Sequence, residues 1–242
     1  MKNKSQVTVV VSQPMYFPWV GLLEQIKLAD IFIFYDDVQF TRGFFNRVQV
    51  KTNSGTKWLS VPLRDYHRGQ MINEVQIDNS EFWWSRHREI LRQNYRASPN
   101  CDAMLKIADE VFSSRTNSLA ELAICSTKVL ANYFGVSAKT QYMYSSKMGI
   151  KGSGTQRLLD LCVKCDAQIY VTGSGAKRYL DHELFENNGI EVRYMNYAMT
   201  QYQQLHGQFT PFVSALDLIA NCGRHGADFI TSKAINWRNV EL

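Results

Sequence analysis

Hydrophobic and polar positions follow two rhythms along this chain, and the first fifty residues show both. Val7-Thr8-Val9-Val10-Val11 is nearly all β-branched, the composition of a strand buried on both faces. Ser12-Gln13-Pro14 ends that strand, because Pro14 has no N–H to give a sheet ladder. Leu22, Leu23, Ile26 and Ala29 then recur at helical spacing, with Glu24, Gln25 and Lys27 between them. Ile31 to Tyr35 is a second buried run. Strand, short helix and strand in about 30 residues make a βαβ unit, which requires a parallel pair joined by a right-handed crossover.

The same reading extends down the chain. A third strand runs through Val50, Ser54-Gly55 forms a tight turn, and Lys57 to Leu63 returns as a strand whose Pro62 belongs at an edge. Arg64 to Gln70 is a polar loop, and Ile72 to Ile77 alternates as a short strand. Asn79-Ser80 is a helix start, and Asp102 to Phe134 is helical apart from a break at 113–118. Thr140 to Tyr144 is a strand, 145–154 a Lys/Gly/Ser loop, and Thr155 to Asp166 an amphipathic helix. Ile169-Tyr170-Val171 and Ile190 to Met195 are further strands, and Ser214 to Ala220 is a helix stopped at Asn221-Cys222-Gly223. No element is predicted for 233–242. Alternating strands and helices predict an α/β protein with a Rossmann-like, mostly parallel sheet flanked by helices. A single domain over 1–242 is expected, with a helical segment at about 80–135.

Composition narrows the class. The 242 residues are 45% hydrophobic and 20% charged, ordinary for a globular domain. No apolar run reaches the ~18 residues of a spanning helix. With no signal-peptide core before the first strand, a cytoplasmic protein without membrane contact is expected. The net charge of +5 is spread along the chain, with Arg86, His87, Arg88 and Arg92 its main cluster. That distribution suits an anionic small substrate better than DNA. Five scattered cysteines do not make a disulfide framework, and Cys162-Val163-Lys164-Cys165 sits in a helical pattern without a second ligand pair. Neither a metal site nor a disulfide is expected.

Candidate chemistry gathers where the first two strands end. In a parallel sheet, ligands bind beyond the carboxyl ends of the strands. The first strand delivers Gln13, Tyr16 and Trp19 to that rim, the second Asp36, Asp37 and Gln39. Asn46 and Arg47 follow in the segment Arg42-Gly43-Phe44-Phe45-Asn46-Arg47. This density of acids, amides, arginine and aromatics predicts a pocket for a polar small molecule; a turn pair capping a helix is the alternative for the two aspartates. Gly173-Ser174-Gly175, with Lys177, follows a later strand and is a second candidate anion site. Lys147 to Gly154 lacks the order of a phosphate loop.

The string SQPMYFPWVGLLEQIKLADIFIFYDDVQFTRGFFNRVQVKTNSGTKWLSVPL, residues 12–63, resembles the opening of the WbqC-like protein family, and 170–180 and 214–223 resemble later blocks of it. The resemblance implies bacterial surface-polysaccharide (O-antigen) biosynthesis, where neighbours of the family make amino sugars. The reaction expected in that setting is N-acylation, with an amino acid such as glycine as acyl group, of a nucleotide-linked amino sugar. Such transfer needs a base and oxyanion donors. Asp36, Asp37 and His206 are the candidate bases; Asn46, Arg47 and the 173–175 amides are the candidate donors. No tightly bound cofactor is expected, and the acyl donor, carried by a protein or by tRNA, is left open. The alternatives are a metal-dependent glycosyltransferase, with Asp36 and Asp37 as the acidic pair, and a non-catalytic sugar-nucleotide-binding protein.

Overall fold

A computed structural model describes residues 6–240. The β-branched run forms β1 (Thr8–Ser12), followed by α1 (Val20–Leu28) and β2 (Ile31–Phe34). A hairpin of β3 (Arg47–Thr52) and β4 (Gly55–Ser60) comes next, then a second small sheet of β5 (Leu63–Arg64) and β6 (Gln76–Ile77). Three helices follow: α2 (Trp83–Tyr95), α3 (Cys101–Phe112) and α4 (Leu119–Phe134). The chain then returns through β7 (Gln141–Tyr144), α5 (Gly154–Lys164), β8 (Ile169–Thr172), α6 (His182–Asn187) and β9 (Glu191–Asn196). It finishes with α7 (Ala215–Cys222) and β10 (Lys233–Asn236).

The main sheet has the order β10-β9-β8-β1-β2-β7, parallel throughout except for the antiparallel edge strand β10. The protein is thus mixed α/β with a mainly parallel central sheet flanked by helices. Both faces are buried, and the two-residue period of the strands sorts the side chains between them. Val10, Phe32, Phe34 and Val171 enter the core built with α1, α2, α3, α4 and α7. Val9, Val11, Ile33, Tyr170 and Val192 enter the core built with α5 and α6. Among the described residues no helix is long and apolar enough to cross a membrane.

The structure corrects four expectations. Residues 72–77 are a 3-10 turn (Ile72–Glu74) and the two-residue β6, not one strand. Helix α2 starts at Trp83, because Asn79 is used as a tie: its amide accepts from Trp83 Nε1 at 2.9 Å and donates to Asn117 Oδ1 at 2.7 Å. The segment 233–236, without a predicted element, is β10, an edge strand that exists only through pairing with β9. The run Lys57 to Leu63 is not one strand: β4 ends at Ser60, and Leu63 begins β5 beyond Pro62.

The segment after β1 dives into the helical layer. Phe17 N–H donates to Ser126 Oγ at 2.9 Å, and the Met15 carbonyl accepts from Thr127 Oγ1 at 3.2 Å, so α4 holds the turn. Tyr16 and Phe17 are fully buried as a result. Tyr16 OH lies 2.9 Å from His87 Nδ1, and burial lowers the His87 pKa to about 4. An unfolded chain protonates this imidazole near 6.5, so between pH 6.5 and 4 the unfolded state binds more protons. Stability therefore falls as pH drops through that window, by roughly 3 kcal/mol for this group. Urea unfolding of the parent and of His87→Gln between pH 7 and pH 4 checks this: the variant should show the shallower pH dependence, and equal slopes would refute it.

Candidate functional site

The sheet reverses its winding at β1, which lies between β2 and β8, and the carboxyl ends of these strands open into a cleft. One cavity of about 500 Å³ is walled by Gln13, Asp37, Gln39, the 152–154 loop and Arg157. A second of about 410 Å³ is walled by Gln25, Phe45, Thr172, Gly173 and Gly175. Gln13, Tyr35, Leu158 and Tyr179 belong to both walls. Adjacent crossovers leave these strand ends in opposite directions, which creates the space.

A chain of polar contacts shapes the first cavity. The Asp36 carboxylate, 5% exposed, accepts from Ser146 Oγ at 2.7 Å and Ser146 N at 3.0 Å, and Ser145 Oγ lies 3.0 Å away. These serines follow β7, so Asp36 clamps the end of β2 to the end of β7. Ser145 Oγ also lies 2.5 Å from Asp37 Oδ1, and its one proton serves one acid at a time. Asp37 pairs with Arg157 at 2.5 Å; Arg157 is 6% exposed and Asp37 24%. Arg157 further donates to the Asp37 and Ile150 carbonyls and lies 5.0 Å from the centre of the Tyr35 ring. Burial raises the Tyr35 pKa, a rise the nearby Arg157 opposes, and burial also raises that of Tyr179; both phenols remain hydroxyl donors at neutral pH.

Helix α5 begins at the same wall. Gly152 and Gly154 take φ of +100° and +63°, which glycine alone adopts without strain. The N-cap Ser153 makes no side-chain capping bond. The N–H groups of a first helical turn have no intrahelical partner, and the helix dipole favours an anion beside them.

The chain matches the WbqC-like protein family over residues 13–229. It belongs to that family. It is also 32% identical over 229 residues to the protein Rv1507c of Mycobacterium tuberculosis (strain ATCC 25618 / H37Rv), covering 92% of this chain and 96% of that one. No solved structure matches the chain significantly.

In this WbqC-like protein the candidate residues do not share one place. Gln13, Asp37, Gln39, Gly173 and Gly175 line the cleft. Ser174 lies between those glycines on an exposed 3-10 turn, Ser174–Arg178, and the Lys177 ammonium lies 5.8 Å from the Tyr194 ring centre. Asp36 is at the rim but is buried against the serine clamp and lines neither cavity. The others lie elsewhere. Tyr16 is core, for the reason given above. Trp19 packs on Tyr197 and Phe212, its ring so close over Gly21 that a Cβ there would come within 2.2 Å. Asn46 and Arg47 line a different pocket, at the base of the hairpin. His206 Nε2 lies 2.7 Å from the Asn94 carbonyl at the end of α2 and is absent from the cleft walls. The thiols of Cys162 and Cys165 are buried in the α5 core, and burial raises their pKa values.

Sequence reading missed Arg157, Tyr35, Tyr179 and Gln25. A glycine pair at a helix start with an arginine three residues on, Gly152-Ser153-Gly154-Thr155-Gln156-Arg157, was the available signal for the first. The clamp yields a direct expectation. Asp36→Asn replaces one acceptor oxygen by an NH2 facing serine donors and loses the charge behind the bonds. Thermal or urea unfolding should show a loss of about 1–3 kcal/mol; a variant as stable as the parent would dismiss the clamp.

Proposed function

We propose that this protein is a cytoplasmic transferase that N-acylates a nucleotide-linked amino sugar in bacterial surface-polysaccharide (O-antigen) biosynthesis, with an aminoacyl or glycyl group as the cargo. The observation that carries the reading is the cavity at the reversal of the sheet, walled by the start of α5 and by Arg157. Counting the parallel strands in chain order gives 3-2-1-4-5, and open parallel sheets bind ligands in the crevice where the strand order reverses, which supports a nucleotide there. The diphosphate sits against the first turn of α5, where N–H groups and the helix dipole favour it. Tyr35 and Tyr179 offer ring faces and hydroxyl donors. The sugar extends toward Gln13, Gln25 and Thr172 in the second cavity.

Of the three candidate bases, Asp37 alone lines the cavity. In direct transfer the sugar amine bonds to the acyl carbon, the bond from that carbon to the donor's sulfur or oxygen breaks, and Asp37 takes the amine proton and passes it to the thiolate or alkoxide that leaves. The acyl donor is a carrier protein or an aminoacyl-tRNA. The glycosyltransferase alternative asks Asp36 and Asp37 to hold a divalent cation. Arg157 already sets a positive charge against Asp37 Oδ2, which opposes a divalent cation there, and no group of three or more His, Cys, Asp or Glu suited to a metal occurs among the described residues.

Ser153→Asp tests the diphosphate site without weakening the helix. A carboxylate at the N-cap is at least as good a cap as serine, so the melting temperature should hold or rise. Like charges a few ångströms apart at a protein surface repel by roughly 1–4 kcal/mol, so calorimetric affinity for an amino-sugar nucleoside diphosphate should drop about tenfold or more. Unchanged affinity would place the diphosphate elsewhere. Asp37→Asn should lower kcat by about 10²–10⁴-fold if it takes the amine proton; binding of the nucleotide sugar with no turnover on any activated acyl donor would leave a binding protein instead.

A further inference from the structure

At the base of the β3–β4 hairpin, where Arg47 pairs with Ser60, lies a pocket of about 250 Å³, walled by Arg42, Asn46, Arg47, Ser60 and the Val61-Pro62 segment. Two polar atoms of adjacent residues are buried there without partners: Asn46 Oδ1 and Arg47 Nε. Asn46 is 7% exposed, and its Nδ2 donates to the Val61 carbonyl at 3.4 Å, which orients the amide and leaves Oδ1 as the unused end. Native proteins pair nine-tenths or more of such atoms, and an unpaired one carries the full cost of its desolvation. Both atoms are closed off in this conformation, so a ligand in the cavity reaches them only when a covering side chain moves.

The charges agree. Arg47 stacks on the Trp58 ring at 4.4 Å and Arg42 on Tyr66 at 5.6 Å. All six ion pairs among the described residues lie elsewhere, so neither guanidinium has an acid. Among the described residues no carboxylate lines the pocket. An arginine fork matches carboxylate or phosphate geometry, Arg47 Nε–H asks for an acceptor, and Asn46 Oδ1 asks for a donor. The volume is below the usual range for a drug-sized or nucleotide ligand, roughly 300–1,000 Å³.

We infer that this pocket is a second ligand site, for a small oxyanion bearing an N–H or O–H donor next to its charge, the pattern of an α-amino acid. The anion draws the Arg47 guanidinium off the Trp58 ring, which opens Asn46 Oδ1 to the ligand's donor. The inference stands apart from the sugar-nucleotide reading of the cleft. Neighbouring residues serve the two sites: Phe45 lines the cleft and Asn46 the pocket.

Isothermal titration calorimetry with glycine, acetate, glycinamide and inorganic phosphate tests the assignment, with tryptophan fluorescence read in parallel. Glycine should bind saturably and at least tenfold more tightly than acetate, which lacks the donor, or glycinamide, which lacks the anion. The fluorescence change should vanish in Trp58→Phe. Arg47→Gln, at a part-exposed position, should weaken glycine at least tenfold, and Asn46→Leu should do the same with a melting temperature within a few degrees of the parent. Three results overturn the inference: no saturable heat with any probe, acetate or phosphate binding as tightly as glycine, or glycine binding that survives both folded variants.

Discussion

One fully buried carboxylate holds together the parts of this protein that are distant in sequence. Asp217 on α7 has no exposed surface, and it accepts from Tyr95 OH at 2.8 Å, Tyr202 OH at 2.9 Å and Asn221 Nδ2 at 3.2 Å. Tyr95 closes α2, and its oxygen also accepts the Lys51 backbone N–H of β3 at 3.1 Å. The Lys51 ammonium reaches Gln204 Oε1 at 2.9 Å, and Gln204 Nε2 returns to Tyr202 OH at 3.1 Å. Burial raises the Asp217 pKa, opposed by the two phenol hydrogen bonds and the Lys51 charge. A buried acid with a missing partner is strongly destabilising, while a fully satisfied network favours one arrangement over its competitors. The hairpin, α2, the 202–210 tract and α7 therefore meet in one geometry.

That geometry reaches both pockets. The hairpin is held from below by Lys51 and from the side by the bridge between Gln49 and Val213, and its first residues, Asn46 and Arg47, wall the smaller pocket. The cleft is set by the other clamp, Asp36 on Ser145 and Ser146, which fastens β7 to β2 and thereby places the loop that leads into α5. Arg157 then reaches back from α5 to Asp37. An acid serving as a strut and an acid facing the cavity are neighbours in sequence, and their different partners give them different work.

Much of the framework was legible from residue pattern. The β-branched run of β1, the helical period of α1, α3 and α4, the break at 113–118 and the apolar strands β8 and β9 all follow from local chemistry and burial on both sheet faces. Segments with weak local signals were not legible. Residues 233–236 read Lys-Ala-Ile-Asn, and nothing in four residues announces an edge strand whose hydrogen bonds come from β9. Tyr16 looked like a rim aromatic because it follows a strand, yet bonds from α4, more than a hundred residues later, pull its turn inward.

Of the site, the chain itself determined the kinds of group and their place at strand ends: Gln13 after β1, Asp36 and Asp37 after β2, glycines after β8. Period and turn chemistry act over a few residues, so they locate such groups along the chain. Which of them share a cavity was decided by the tertiary structure alone. Asp37 meets Arg157 across 120 positions, Asn46 and Arg47 are carried off with the hairpin, and His206 is bound to α2. Those outcomes depend on strand order and on buried hydrogen bonds between remote segments, and a local pattern carries neither.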